Sequence, residues 1–491
     1  MNFRLISYIL GQIMRATGAL MAIPLITALC YREPFWPLLI PMLLLLALGF
    51  VLTWRKPAER DRMGVRDGLF VVGISWVVLS LFGMLPFLLC GALSSPVDAF
   101  FETVSGFTTT GATILGDAVG TLPSELPRGV GLWRALTHWI GGMGILVFVL
   151  AVMPQQEFKS ARLMHAMRAE VPGPVASKVV ATIRRSSAII YAIYIALTLL
   201  QMVLLLAGGM SFYDALLHAF STGGTGGFSN LDASIGAYSS SYIHWVITIF
   251  MLLFSVNFNL YYLILIGQAS RVLMSEELKW FAGIVLASTA AITINILPLY
   301  DGFGTALRDA AFNVASFTST TGFTTATYDA WPPLSQAILV LLMFVGGCAG
   351  STCGGLKIGR LMILFKGALR ELHLMLHPRE VRAVRVEGKP VEEDTVRGVS
   401  SYFILYILVF TLSIMALLVV DGSDVLTAFT AVTSCMNNVG PGLGKIALSA
   451  GGSFGGFSVA GKLLLSFNML IGRLELFPIL ILFLPSAWSK K

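Results

Sequence analysis

Apolar windows of roughly 20 residues recur along the whole chain, near 6–30, 35–54, 68–91, 133–153, 186–209, 242–268, 280–299, 334–356, 399–420 and 460–485. About 20 apolar residues is the length a helix needs to cross some 30 Å of hydrocarbon. The stretches between the windows are too short for a soluble domain of useful size. The pattern predicts an all-α polytopic membrane protein. The first window follows MNFR, is long, has no small-x-small cleavage site and is followed at once by a second apolar stretch. It therefore reads as a retained helix and not as a signal peptide.

Between helices predicted to run outward and back lie four shorter segments with a common pattern. They are "DAFFETVSGFTTTGAT" from Asp98, "DALLHAFSTGGTGGFS" from Asp214, "DAAFNVASFTSTTGFT" from Asp309 and "TAFTAVTSCMNNVGPG" from Thr427. Aligned without gaps, they bring Gly111, Gly227, Gly322 and Gly440 to one column, with spacings of 116, 95 and 118 residues. Each segment is an apolar half-helix too short to span, since 13 residues rise about 20 Å at most. A unit of helix, half-helix and helix returns to its starting side, so the four units run parallel and can surround an axis along the membrane normal.

Asp98, Asp214 and Asp309 occupy the place where an N-cap is wanted, and Asp424 lies one turn earlier in the fourth segment. The partially negative C-terminal ends of four half-helices would then converge near the membrane centre. Irregular backbone at that depth is tolerated when it lines water, and glycine permits the positive φ that turns carbonyls toward an axis. Rings of carbonyls can replace a cation's hydration shell. The candidate cation ligands are Thr109, Thr110 and Gly111; Gly226 and Gly227; Thr320, Thr321 and Gly322; and Asn438, Val439 and Gly440.

Composition agrees with this picture. Of 491 residues 56% are hydrophobic and 12% charged. With both termini inside, the inner segments carry 25 of the 33 Lys and Arg and the outer side carries six, as the positive-inside rule requires. The net charge of +7 then reflects membrane insertion and anionic lipid, with no nucleic acid as partner. The outer side also holds 12 Asp and Glu, which would concentrate cations at its mouth.

The window from 334 meets "GGCAGSTCGGLKIGR", whose glycines disfavour a continuous helix. A break facing a cavity is expected over Gly346, Gly347, Cys348, Ala349, Gly350, Ser351, Thr352, Cys353, Gly354, Gly355 and Lys357. Arg473 lies near the middle of the last window, where a charge should face the bundle interior or water. It is expected below the ring, raising a barrier to cations and pairing with carbonyls of the broken helix, and Glu475 is a poor intrahelical partner for it. The five cysteines read as buried small residues. The histidines, among them His138, His218, His373 and His377, do not gather into a ligand set. No HExxH, GxSxG or phosphate-binding loop is present, so no enzyme is expected.

The four segments and the glycine-rich break resemble the TrkH members of the Trk/Ktr/HKT potassium transporter superfamily over nearly the whole chain. The resemblance implies two leading helices (1–67) and four repeats (68–160, 161–275, 276–395 and 396–491) around a pseudo-fourfold pore. It implies a K⁺ filter with one glycine from each repeat, an intramembrane gate loop in the third repeat, and an arginine at the place of Arg473. It further implies K⁺ uptake across a bacterial inner membrane, both termini cytoplasmic. No covalently bound cofactor is implied; the partners implied are a second copy of the chain and a cytosolic TrkA-type ring that binds the nucleotide, with 155–185 and 357–397 as docking surfaces. The alternative is an alternating-access, ion-coupled symporter of a small solute, which would use inverted repeats around one midplane site.

Overall fold

The computed structural model describes residues 3–55, 65–144, 183–448 and 451–483. The fold is all-α, and among the described residues the strands are those of one two-stranded hairpin, Arg385–Val386 against Lys389–Pro390. Among the described residues six helical stretches are long and apolar enough to cross a membrane: Phe3–Cys30, Trp36–Thr53, Asp67–Leu89, Ser187–Ala207, Glu276–Leu299 and Glu393–Asp421. Their outward faces carry exposed Leu48, Val51, Leu199, Leu286, Ile294, Leu412 and Val419, as lipid contact requires. Trp76, Trp133, Tyr194 and Tyr328 are among the largest fully buried side chains of the interior.

The other four windows are not single straight helices. Ser241–Phe254 and Phe258–Leu265 meet at 93°, so the window 242–268 is broken at 255–257. The chain from the 346–357 break occupies that corner: Cys348 N donates to Ser255 O at 2.9 Å and Phe258 N to Gly350 O at 3.1 Å. The window from 334 is helical only over Pro333–Val345 and resumes at Ile358–Leu376. The last window is helical over Val459–Arg473, turns through positive φ at Glu475 and Leu476, and resumes at Phe477–Leu482. Arg473 therefore closes a helix and does not lie within one. The window 133–153 is represented by Arg128–Gly142, and residues 145–153 lie outside the described residues.

Four short helices match the repeated segments: Pro96–Phe107, Phe212–Gly223, Phe303–Thr318 and Val425–Asn437. Their caps differ from the expectation. Ser95 and Ser211 cap the first two, accepting from the amides of Asp98 and Asp214, which sit at the third helical position. In the first, Pro96 forces Ser95 into extended backbone and supplies a preset first helical residue, so the cap falls three residues before the aspartate. The third helix begins at Phe303, leaving Asp309 well inside it. Only the fourth is capped by an aspartate, Asp424, whose side chain accepts from Thr427 N at 3.0 Å.

Two of the other aspartates make tertiary contacts instead. Asp98 accepts from Lys462 Nζ at 2.6 Å and Asp214 from Asn230 Nδ2 at 2.8 Å, whereas Asp309 pairs locally, accepting from the adjacent Arg308 Nε at 2.9 Å.

Candidate functional site

The chain that leaves each half-helix repeats one backbone geometry. Two residues, two positions apart, take positive φ: Thr109 and Gly111 (55° and 77°), Thr225 and Gly227 (52° and 76°), Thr320 and Gly322 (55° and 83°), Asn438 and Gly440 (55° and 98°). The residue between them donates its amide to a serine carbonyl five positions back. These bonds run from Thr110 to Ser105, Gly226 to Ser221, Thr321 to Ser316 and Val439 to Ser434, each at 2.9 Å. The column of four serines and the Thr109, Thr225, Thr320, Asn438 column were both present in the sequence; Ser105, Ser221, Ser316, Ser434 and Thr225 are the residues that reading for glycine passed over.

The four segments close on one another in sequence order. A Cβ at Gly111 would strike the carbonyl oxygen of Gly226, at Gly227 that of Thr321, at Gly322 that of Val439, and at Gly440 that of Thr110. Each glycine thus leans on the carbonyl that precedes the next glycine, and the fourth returns to the first. A methyl group at any of the four would open the seam and would also sit at a φ that L-residues avoid. Four carbonyl oxygens, of Thr110, Gly226, Thr321 and Val439, each lie against the glycine of the preceding segment, with the Pro441 side chain beside the third contact. Oxygens so arranged can take the place of water around a dehydrated cation.

The fourth segment conforms to the ring despite its asparagines. Asn tolerates the left-handed region better than most residues, and Asn438 takes the φ that Thr takes in the other three. Its amide also ties the ring shut from behind, donating to Thr110 Oγ1 at 2.9 Å and to Met469 O at 3.0 Å. Asn437 accepts from Tyr406 OH at 2.9 Å. Hydroxyl pairs within single segments, Thr108 with Thr110 at 2.7 Å and Ser319 with Thr321 at 2.6 Å, brace the first and third from inside.

The irregular stretch 346–357 hangs directly on this ring. Gly354 N donates to Thr320 Oγ1 at 2.8 Å and Gly355 N to Asn437 O at 3.0 Å. Positive φ at Gly346, Gly350, Gly355 and Lys357 lets the chain fold back so closely. From the other side Glu277 accepts from Ala349 N at 2.8 Å and Gly359 N at 3.1 Å. Ser351 Oγ donates to Cys348 O at 2.6 Å, and Lys357 Nζ to Cys353 O. Cys348 and Cys353 are buried free thiols, the latter on Ser255 Oγ at 3.2 Å.

Arg473 joins this stretch to the first repeat. It donates through Nη1 to Thr352 O at 2.8 Å, and through Nη2 to Gly141 O at 2.5 Å and Gly142 O at 2.7 Å. Glu475 turns away from it and pairs with Arg360, whose guanidinium lies 4.4 Å over the Tyr402 ring.

The histidines were not expected to gather into a ligand set, and two of them lie side by side. His373 and His377 stack at 4.6 Å near the end of Ile358–Leu376, and with Glu380 they offer ligand atoms all within 4.8 Å of one another. Helical i,i+4 spacing and the following turn bring them together. His373 Nε2 sits 2.7 Å from Glu380 Oε2, and that hydrogen bond holds the carboxyl below its usual range.

A profile of the TrkH family, described as a cation transport protein, matches residues 38–491. The Trk system potassium uptake protein TrkH of Salmonella typhimurium is 36% identical over 496 residues, all of both chains. The chain belongs to the TrkH cation transport family. The TrkH of Halomonas elongata is 34% identical, again over the full length of both chains. The crystal structure of the potassium transporter TrkH from Vibrio parahaemolyticus superposes with a TM-score of 0.88 at 33% identity, covering all of both chains. Family membership makes this chain a multi-pass membrane transporter and not an enzyme.

Proposed function

We propose that this chain takes up K⁺ across the bacterial inner membrane through the ring formed by residues 109–111, 225–227, 320–322 and 438–440. The observation that carries the reading is the closed cycle of glycines and carbonyls, which matches the needs of a dehydrated monovalent cation. Relatives named as potassium uptake proteins, alike over their full length, support K⁺ as the cargo. In this reading K⁺ sheds water at the ring, then meets the stretch 346–357 and the charge of Arg473, which together gate its passage. Two hydrogen bonds, from Gly354 N and Gly355 N, fix that gate to the ring segments, so a change at one is felt at the other. The active form is a homodimer with a cytosolic TrkA-type subunit that carries the nucleotide; the chain itself needs no cofactor.

The test is ⁸⁶Rb⁺ influx into vesicles reconstituted with the full chain, with K⁺ or Na⁺ as competitor. Uptake should be displaced by K⁺ and poorly by Na⁺, and Gly322→Ala should abolish that discrimination. Unchanged influx and discrimination in Gly322→Ala would overturn the assignment.

A further inference from the structure

Each half-helix braces the chain that climbs away from its ring segment, and the four braces are unlike one another. The residue nine positions before the ring glycine is Glu102, His218, Asn313 or Ala431. His218 Nε2 reaches Ser229 Oγ at 3.1 Å, and Asn313 Nδ2 reaches Thr325 Oγ1 at 3.5 Å. In the fourth repeat Thr430 takes the task, donating to Leu443 O at 3.0 Å. Only in the first repeat is the brace a charge.

Glu102 is fully buried and all its contacts hold chain beyond the first ring glycine. Oε2 accepts from Ile114 N at 2.7 Å, and Oε1 from Thr113 Oγ1 at 3.1 Å and from Arg134 Nε at 2.6 Å. Arg134 then carries the connection into the second repeat: Nη1 donates to Ser229 O at 3.0 Å, and Cζ lies 3.4 Å over the ring of Phe228. Phe228 directly follows the ring glycine Gly227, and its other neighbour is His138, stacked at 4.1 Å. The His138 ring fills the space where a Cβ at Gly226 would lie.

We infer that Glu102 and Arg134 are specificity-determining positioning residues: one buried ion pair fixes the exit strands of the first two ring segments against each other and so sets the ring's width. The inference rests on reading the ring as the cation filter. Neither side chain touches the ring carbonyls; they act through Ile114, Ser229 and Phe228. A preorganised network of this kind resists the few tenths of an ångström by which K⁺ and Na⁺ ligand shells differ, because breaking any one bond leaves a buried polar group unpaired.

The test is the K⁺/Na⁺ flux ratio of the reconstituted full chain in Glu102→Gln, Glu102→Asp, Arg134→Lys and Phe228→Leu, each checked for monodispersity. Glu102→Gln should lower the ratio roughly tenfold, the scale of one hydrogen bond to a charged group. Glu102→Asp keeps the charge but cannot span from Arg134 to Ile114, so it should lower the ratio as well; full retention would mean that charge neutralisation alone matters and would overturn the inference. Phe228→Leu keeps an apolar residue and both charges, and should lower the ratio less; it decides the matter if the charge variants fail to fold, since an unchanged ratio there contradicts the role. If Gly322→Ala destroys discrimination while Glu102→Gln and Phe228→Leu keep it, this inference falls and the filter reading stands. If Gly322→Ala also leaves discrimination intact, the filter reading itself has failed.

Discussion

The ring and the stretch beneath it are made from similar residues, glycine with small polar neighbours, yet they are built on opposite plans. The ring is assembled four times from the same local pattern: a serine carbonyl, an intervening amide, and two residues of positive φ. The stretch 346–357 occurs once, in the third repeat, and its bonds go outward to Ser255, Thr320, Asn437 and Arg473, each from another part of the chain. A structure repeated four times around an axis is suited to surrounding one ion evenly. The stretch 346–357 is instead held by unlike contacts from several separate elements, which suits a part that is not repeated around the axis.

That contrast can be broken most forcefully at Asn438, the least Thr-like member of the ring. Asn438→Ala removes a side chain that tolerates positive φ and two hydrogen bonds, and should reduce K⁺-dependent growth and ⁸⁶Rb⁺ influx at least about tenfold, given some 1–2 kcal/mol for the strained backbone alone. Asn438→Thr should retain more influx, since Thr holds that conformation in the other three segments. Equal activity of Asn438→Ala and the parent chain would exclude the fourth segment from the ring.

Arg473→Ala tests the other side of the comparison. Removing three bonds to the carbonyls of Thr352, Gly141 and Gly142 should raise basal influx several-fold while leaving the K⁺/Na⁺ ratio where it was. A changed ratio with unchanged flux would make this region part of the selective element. Glu277→Gln loosens only the far edge of the stretch, at Ala349 and Gly359, and should give a smaller rise in the same assay.

The smallest effect is expected at Asp424, the exposed cap of the fourth half-helix. Asp424→Ala should cost about 1 kcal/mol of stability, read by thermal unfolding in detergent. Hydrogen bonds from Thr427 hold the Asp424 carboxyl below its ordinary range. The cap's contribution is thus complete above the ordinary aspartate value and is lost as pH falls through the lowered one. The gap between the parent and Asp424→Ala should accordingly close only in strong acid.

Legibility followed the same division. The half-helices and the ring glycines could be read from the chain because they repeat, and a column of four glycines has a geometric meaning that one glycine lacks. The caps could not be placed so well: Asp98 and Asp214 look like caps until Ser95 and Ser211 take that role, and the aspartates' real partners, Lys462 and Asn230, lie far away in sequence or in another element. The glycine run at 346–355 announced a break, but not that the break would bend the 242–268 window through 93° by filling its corner. Nor could any local pattern pair Glu102 with Arg134 and Phe228, since the first two stand 32 positions apart and the contact of Arg134 with Phe228 crosses between repeats.

The central claim is that the four segments form one cation site, and anomalous diffraction from crystals of the full chain grown in Rb⁺ or Tl⁺ tests it most directly. The account predicts anomalous density on the axis, level with the carbonyl oxygens of Thr110, Gly226, Thr321 and Val439, and its loss in Gly322→Ala. Anomalous density elsewhere in the bundle, with none at the ring, would contradict it.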